Sequence, residues 1–313
     1  MDIILRMSSF VTDIILPIFI GYNLQKWKKV MPEILFDQMI FVNLFVLSTF
    51  LNVLSFWKIQ LNPELIWIPI LGLLIHFIPG AFAYLTVKSI YKNPLEQGSY
   101  ILSTLLSNIG VIGAISVYIL FQEKGYALSQ LVMLPSHIIL YMFCFPMAQY
   151  YYQASKNRAS RVSLKDVIFN PKQIPVLGIL FGLLLNVFKY HRLAIFGDLF
   201  NYTIHIRSWL YMLPIGYTIN FCQMRKYWTN TWKLSYIKFL ATPITVYLIA
   251  MRLISDPEVL KTLIILSCSP TAINAVVTAK IHKLNVNLAM AAFISTTIIY
   301  LVIVYPSLLL IIY

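Results

Sequence analysis

Long apolar runs recur along the whole chain and restrict its fold more than any other feature. Residues 65–84 and 284–313, for example, contain no Asp, Glu, Lys or Arg. A helix needs about 20 apolar residues to cross a bilayer. These runs also lack the alternation of apolar and polar residues that is typical of a half-buried strand. The sequence therefore predicts an all-α polytopic membrane protein.

Ten such spans account for most of the 313 residues. They would occupy roughly 210 positions and leave about 100 for short loops, so no separate soluble domain is expected. Only 11% of the residues are charged, against about 25% in a soluble domain. The sequence contains no P-loop, GxGxxG or HExxH motif. The candidate spans lie near residues 5–24, 36–56, 65–89, 97–121, 127–150, 174–190, 203–223, 233–253, 258–280 and 288–311.

Lys and Arg residues in the loops and near the span ends divide unevenly between the two sides of the membrane. One side holds 15 of the 24 and the other holds 7, while Arg207 and Lys238 fall within spans. Because cytoplasmic loops retain cations, this split predicts a multi-pass protein of the cell membrane with both termini outside the cytoplasm. The cations are spread over several loops, so nucleic-acid binding is not expected. The seven residues on the outer side are Arg6, Lys58, Lys124, Lys189, Arg192, Arg252 and Lys261.

A polar linker at residues 151–172 divides the chain into five spans on each side. Because five is odd, the second half would enter the membrane from the opposite face, as in the inverted repeats of many secondary transporters. We therefore expect a first five-helix repeat at 1–150, a basic cytoplasmic linker at 151–172 and a second, inverted repeat at 173–313.

Spans four and nine each contain a polar cluster near mid-span. Residues 106–113 read LSNIGVIG, and residues 268–275 read CSPTAINA. Glycine tolerates non-helical angles and proline removes a hydrogen-bond donor, so each helix can open and expose backbone groups. Such groups are tolerated inside a membrane where they line a cavity or bind a ligand, and paired breaks indicate a transport site. The alternative is that Ser, Asn and Gly here only let helices pack closely.

These clusters and two further segments together resemble the auxin efflux carrier family of membrane transport proteins. The resemblance extends over nearly the whole chain and is carried by residues 107–110, 121–125, 169–171, Pro175, Gly178, Gly182, 269–275 and Asn285. It implies ten transmembrane helices in two inverted five-helix repeats, with broken helices four and nine crossing near the substrate. It also implies efflux or exchange of a small organic anion, such as a carboxylate or an auxin-like acid. The chain lacks the long cytoplasmic loop of the plant carriers, which favours a short microbial-type member.

The resemblance places substrate-binding residues first at the two interruptions. These are Ser107, Asn108, Gly110, Ser269, Pro270 and Asn274, of which Asn108 matches a conspicuous asparagine of the family's fourth helix. Spans two and five would complete the walls of the pocket. The residues expected there are Asn43, Ser48, Ser136, His137 and Tyr141, with simple interhelical hydrogen bonds as the alternative.

Ionisable residues inside spans are costly to bury and are functional candidates for that reason. Asp13, His76 and His205 are candidates for proton coupling, because histidine titrates near neutral pH and a buried carboxyl can be protonated. The alternative for each is a hydrogen-bonded packing role. Arg207 and Lys238 lie within about two turns of their span ends, so we expect their long side chains to reach the membrane interface.

The predicted function is secondary transport of a small organic anion by alternating access around the crossover of helices four and nine. Two other classes stay open: an intramembrane enzyme acting on lipid or prenyl substrates, and a non-transporting membrane sensor. The enzyme is disfavoured because no span contains a close acidic pair. No catalytic residue, metal or cofactor is expected. The expected partners are the anion and the lipid bilayer, and a homodimer is left open.

Overall fold

The computed structural model describes residues 8–9, 11–26, 35, 38–39, 41–61, 63–156, 174–219 and 225–312. Within these residues the chain is helical, and its β-structure is limited to one isolated bridge. The all-α prediction is therefore confirmed. Most of the predicted linker at 151–172, including the segment at 169–171, lies outside the described residues.

The helices follow the apolar runs of the sequence. Two helical segments, Pro63–Ile90 and Val286–Ile312, are long and apolar enough to cross a membrane, and shorter apolar helices include Val11–Gln25 and Phe45–Lys58. Numbered along the chain, the described α-helices are α1 (Leu16–Lys26), α2 (Ser48–Lys58), α3 (Trp67–Ile90), α4 (Pro94–Leu105), α5 (Ala114–Met133), α6 (Ser136–Ile139), α7 (Phe145–Ala154), α8 (Ile174–Val187), α9 (Ile195–Thr218), α10 (Trp228–Tyr236), α11 (Thr242–Ala250), α12 (Pro257–Ser267), α13 (Ile273–Ile281), α14 (Val286–Ile299) and α15 (Tyr305–Ile312).

Six π-helical turns interrupt the described helices, and four of them end two residues before a proline. Proline has no N–H, and its ring clashes with the carbonyl of residue i−4. A widened turn accommodates the ring while the helix continues beyond it. The four pairs are Val11–Ile15 with Pro17, Leu140–Cys144 with Pro146, Ile237–Ala241 with Pro243, and Tyr300–Val304 with Pro306.

Contacts between residues group the chain into two units, and the first comprises Met1–Pro63, Ala114–Gln130 and Asn170–Ile219. Within unit 1, α1 packs on α9, and α2 packs on α8. In the contact between α1 and α9, each helix contributes a glycine that lies against the backbone of the other. The Cα of Gly21 lies against the backbone of Leu213, and that of Gly216 lies against the backbone of Ile18. Small residues allow this close approach of helices where no hydrophobic force drives them together.

Unit 2 comprises Glu64–Gly113, Leu131–Phe169 and Asn220–Tyr313. Its core contains α4 and α14, which pack on each other. Residues 98–105 of α4 are all buried, and so are residues 291–297 of α14. Serine and threonine hydroxyls are mixed with the apolar side chains in this core, as is typical of helix contacts in membranes. The repeats expected at 1–150 and 173–313 follow chain order and stay a prediction.

Large apolar side chains are exposed on several helices. Leu85, Leu310 and Ile311 are each at least 77% exposed. Extended exposed apolar surface favours contact with lipid or another apolar partner over contact with water. The apolar faces of these helices therefore agree with a bilayer as the surrounding solvent.

The glycine contact in unit 1 gives a prediction for stability. We expect Gly216→Ala to lower the melting temperature of the detergent-purified protein by several degrees, because the new methyl group overlaps the carbonyl oxygen of Ile18. Overpacking of this kind costs about 1–3 kcal/mol. Gly197→Ala is the control, since the nearest atoms to a Cβ there lie 3.9 and 4.0 Å away. Equal melting temperatures for the two variants would contradict the role of Gly216.

Candidate functional site

Both predicted helix interruptions are present in unit 2. Helix α4 ends at Leu105, and the chain is extended at Leu106 (φ −82°, ψ 117°) before a π-helical turn begins at Ile109. Helix α12 ends at Ser267, and α13 begins at Ile273. The first interruption covers residues 106–108 and the second covers 268–272. The prediction that spans four and nine are interrupted at their polar clusters is therefore confirmed.

The two interruptions meet and bond to each other. The N–H of Asn108 donates to the carbonyl oxygen of Pro270 at 2.7 Å, and the N–H of Ala272 donates to the carbonyl oxygen of Leu106 at 2.9 Å. Ser107 and Thr271 thereby form an antiparallel bridge. Backbone groups without partners would be costly in an apolar core. Each interruption therefore supplies the hydrogen-bond partners that the other has lost.

Side chains of the surrounding helices hold this junction. The hydroxyl of Thr271 donates to the carbonyl oxygen of Ser103 on α4 at 2.8 Å. The N–H of Thr271 donates to the hydroxyl oxygen of Thr296 on α14 at 3.0 Å. The junction is thus bonded to both central helices of unit 2.

The two interrupted helices also begin and end in similar ways. Helix α4 is capped by the Asn93 side chain and has Pro94 at its first position, while α12 is capped by Asp256 and has Pro257 there. Beyond each interruption, the chain reaches a non-glycine residue with positive φ, Gln122 in the first case and Lys283 in the second. Gln122 interrupts α5 at the predicted boundary between spans four and five.

Lys238 lies beside the junction and not at the membrane interface. Its side chain is 1% exposed, and its Nζ donates to the hydroxyl oxygen of Ser107 at 2.7 Å. The expectation that it reaches the interface is wrong, because distance from a span end does not tell which face of the helix a residue occupies. Within the described part of the chain, no carboxylate forms an ion pair with Lys238.

His76 and Ser136 lie in the same unit and contact each other. The His76 Nδ1 donates to the carbonyl oxygen of Gly72 at 2.8 Å, which leaves Nε2 of the neutral ring to accept from the Ser136 hydroxyl at 3.2 Å. Two residues that the sequence assigned to different roles are therefore direct neighbours.

Two polar side chains at the junction are buried without a hydrogen-bond partner among the described residues: Asn108, through Nδ2, and Ser269, through Oγ. They are 4% and 0% exposed. Both lie next to Gly113, whose N–H donates to the Asn108 carbonyl oxygen and whose Cβ position would be 2.7 Å from Ser269 Oγ. A buried polar group without a partner costs about 1–3 kcal/mol. We call Ser107, Asn108, Lys238 and Ser269 the crossover cluster.

The other residues predicted at the interruptions have distinct environments. Gly110 lies in the π-helical turn Ile109–Gly113 against the side chain of Met133. Pro270 contributes its carbonyl oxygen to the junction. Asn274 is exposed in the first turn of α13. His137 and Tyr141 belong to helical backbone, but their side chains lie outside what the structure describes.

Asn43 and Ser48 belong to unit 1, where both make structural hydrogen bonds. Asn43 Nδ2 donates to the carbonyl oxygen of Arg207 at 2.5 Å, and the Ser48 hydroxyl donates to the carbonyl oxygen of Asn43 at 2.9 Å. Arg207 itself is 2% exposed and donates from Nη1 to the Tyr126 hydroxyl at 2.9 Å. The expectation that Arg207 reaches the interface is therefore wrong, because its guanidinium group finds a partner inside unit 1.

Asp13 and His205 form a pair in unit 1, although 192 residues separate them. The His205 Nδ1 lies 2.6 Å from Asp13 Oδ2. Asp13 is 6% exposed, whereas the His205 side chain is 44% exposed. The carbonyl oxygen of Asp13 accepts a hydrogen bond from the Ser208 hydroxyl. Pro17, four residues on, has no N–H for that carbonyl, so Ser208 takes the place of the helix donor.

Sequence reasoning missed Lys238 as a member of the site, although a signal was present. Residues 237–251 form an apolar run in which Lys238 is the one charged residue, and Pro243 follows within it. A lone cation inside an apolar run of this kind is a functional candidate in a membrane protein.

Comparison with known families identifies the family of the chain. A family model described as membrane transport protein matches residues 7–306. The chain belongs to this auxin efflux carrier-type family of membrane transport proteins. Its members are integral membrane proteins, and membership of a transporter family points away from an enzyme. A search of curated proteins found no match.

The junction gives a prediction with an adjacent control. We expect Thr296→Val to destabilise the protein by about 1–3 kcal/mol, because it leaves the buried N–H of Thr271 without a partner. Thermal melting in detergent measures this loss. Thr297→Val should be close to neutral, since the Thr297 hydroxyl is buried without a partner among the described residues. An equal loss of stability in the Thr297 and Thr296 variants would contradict the role of Thr296 as the partner of the Thr271 N–H.

Proposed function

We propose that this membrane transport protein is a secondary carrier of a small organic anion, and that the crossover cluster forms part of its substrate site. The observation that carries the proposal is the burial of Lys238 at the junction of the two interrupted helices. Its Nζ donates to Ser107, and no described carboxylate neutralises it by an ion pair.

A buried ammonium group without an acidic partner favours an anionic ligand. Charged groups inside a membrane protein are costly unless they pair or act on a substrate. A carboxylate beside Lys238 would offset this cost. The Ser107 Oγ accepts a hydrogen bond from Lys238 Nζ. Its own hydroxyl hydrogen can therefore be donated to the same carboxylate.

The backbone and the unpartnered side chains support the same ligand chemistry. Helix α13 begins at the junction, and its N-cap residue Ala272 provides no side-chain hydrogen bond to the first turn. A helix N-terminus carries a partial positive charge that favours anions. Asn108 Nδ2 and Ser269 Oγ add two hydrogen-bond donors that lack protein partners among the described residues. The cluster thus combines one charge with several neutral donors, as recognition of a carboxylate requires.

We further propose ten transmembrane helices arranged as two inverted repeats, at 1–150 and 173–313, with transport by alternating access around the crossover. The similar caps of α4 and α12 support this organisation, since each helix begins with Asn or Asp followed by Pro. The asymmetry of Lys and Arg supports the cell membrane as the location, with both termini outside the cytoplasm.

Lys238 provides the direct test of this function. We expect Lys238→Met to reduce exchange of the anionic substrate by at least about tenfold, because the variant removes the one positive side chain of the crossover cluster. The measurement is counterflow in proteoliposomes, screened with mono- and dicarboxylates, amino acids and indole acids. Asn108→Ala is expected to weaken exchange as well.

The matched control for this test is Lys261→Met. Lys261 is exposed and donates to the carbonyl oxygen of Ile312. It therefore carries the same charge as Lys238, but on the protein surface. Protein amount and melting temperature are measured for each variant. Wild-type exchange by a well-folded Lys238→Met protein would remove Lys238 from the site. Binding without flux in the wild type would instead favour a sensor over a carrier.

We also propose that the Asp13–His205 pair couples transport to protons. The support is the contact itself, which joins a buried carboxyl to a partly exposed imidazole. We expect Asp13→Asn to flatten the dependence of the exchange rate on pH between about 5 and 8, where histidine titrates. Asp198→Asn, at an exposed acid on α9, is the control. An unaltered pH profile in the Asp13 variant would show that the pair serves packing alone.

A further inference from the structure

Unit 1 contains a pocket that the proposed transport mechanism does not use. Its volume is about 450 Å³, and it lies where α2 ends and where the loop between α8 and α9 begins. Ligand pockets usually measure about 300–1,000 Å³. The residues that matter for its chemistry are Trp57, Lys58, Lys189, Tyr190, His191 and Arg192. We call it the loop pocket.

Positive charge is concentrated in the loop pocket. Lys58, Lys189 and Arg192 all line it, and they are three of the seven cations that the sequence places on the outer side. None of its described lining residues is acidic. Glu123 pairs with Arg192 through contacts of 2.5 and 3.1 Å. No ion pair joins Lys58 or Lys189 to another described residue, so the pocket keeps a net positive charge.

Arg192 has an unused donor at this pocket. Its side chain is 90% buried, with two N–H groups directed at Glu123 and a further bond from Nη1 to the Leu54 carbonyl oxygen at 3.2 Å. Its Nε is buried and has no hydrogen-bond partner among the described residues. A guanidinium group carries five N–H donors in a fixed plane. Three of the five are bonded to Glu123 and Leu54, which leaves the Nε–H and one Nη2–H for an anion in the pocket.

Other contacts hold the pocket in shape. Asn186 Nδ2 bonds to the carbonyl oxygens of Trp57 at 2.9 Å and of Ile59 at 2.7 Å. These carbonyls at the end of α2 would otherwise repel an anion. The indole N–H of Trp57 donates to the carbonyl oxygen of Tyr190 at 2.9 Å. The loop is therefore fixed before a ligand binds, which lowers the entropy lost on binding.

The apolar surroundings favour one kind of anion. Phe188, Tyr190 and Leu193 are 69%, 64% and 57% exposed around this loop. Trp and Tyr are enriched at the level of lipid headgroups. A bare phosphate ion would leave much of the pocket unfilled, whereas a headgroup with its glycerol would fill it and place its chains beside these side chains.

We propose that the loop pocket binds the phosphate group of an anionic phospholipid. Lys58 and Lys189 supply the charge, and Arg192 donates from its unbonded N–H groups. Trp57 and Tyr190 flank the headgroup. This site is separate from the crossover cluster in its residues and does not depend on the transport function.

The test uses the full-length protein, purified in detergent and freed of lipid. Phosphatidylglycerol and phosphatidylcholine are titrated in turn, and binding is measured by native mass spectrometry and by the rise in melting temperature that a bound ligand produces. The variant combines Lys58→Gln with Lys189→Gln. We expect it to bind phosphatidylglycerol at least about tenfold more weakly, because each cation near a lipid surface contributes to the attraction of anionic lipid.

The control combines Arg252→Gln with Lys261→Gln, which removes the same charge from the same predicted side. Its affinity for phosphatidylglycerol should equal that of the wild type. The lipid-free melting temperature of the Lys58/Lys189 variant should also be unchanged, since these side chains are exposed. Equal binding of phosphatidylglycerol by variant and wild type overturns the proposal, and so does equal affinity of the wild type for phosphatidylcholine. A third arm adds glycerol phosphate; full competition by this soluble anion overturns the lipid as the source of the phosphate.

Discussion

The hydrogen bonds between the two interrupted helices are the constraint on which the rest of unit 2 depends. A helix that opens inside an apolar core exposes N–H and C=O groups that water cannot reach. Here Asn108 bonds to Pro270, and Ala272 bonds to Leu106, so each opening is satisfied by the other. The side chains of Asn108 and Ser269 are not needed to repair the backbone, so they are available for the proposed recognition of a substrate.

Proline has a comparable effect elsewhere in the chain. Where Pro17 withholds its N–H, the carbonyl of Asp13 bonds to Ser208 on another helix, and Asp13 itself pairs with His205. Where Pro243 follows a π-helical turn, that turn contains Lys238. In both cases a charged residue lies in the turn that a proline has widened. Local helix irregularity and buried charge therefore occur together in this protein.

Much of the fold could be predicted from sequence because its signals are local. Apolar runs indicate helices, and the Ser, Asn, Gly and Pro residues at 106–113 and 268–275 indicate interruptions. The environment of Lys238 could not be predicted in this way, since its depth follows from the sequence but the face it occupies follows from packing. The pairing of Asp13 with His205 is a long-range contact and has no local signal. The same holds for Arg192, whose partner Glu123 lies 69 residues away.

The reciprocal bonding of the junction also limits which substitutions the two interruptions can tolerate. A substitution that restored a continuous helix at one interruption would strand the donor and the acceptor of the other. The reverse holds equally, because each segment bonds to the peptide groups that the other exposes. Restoring a continuous helix at one interruption is therefore expected to destabilise the other.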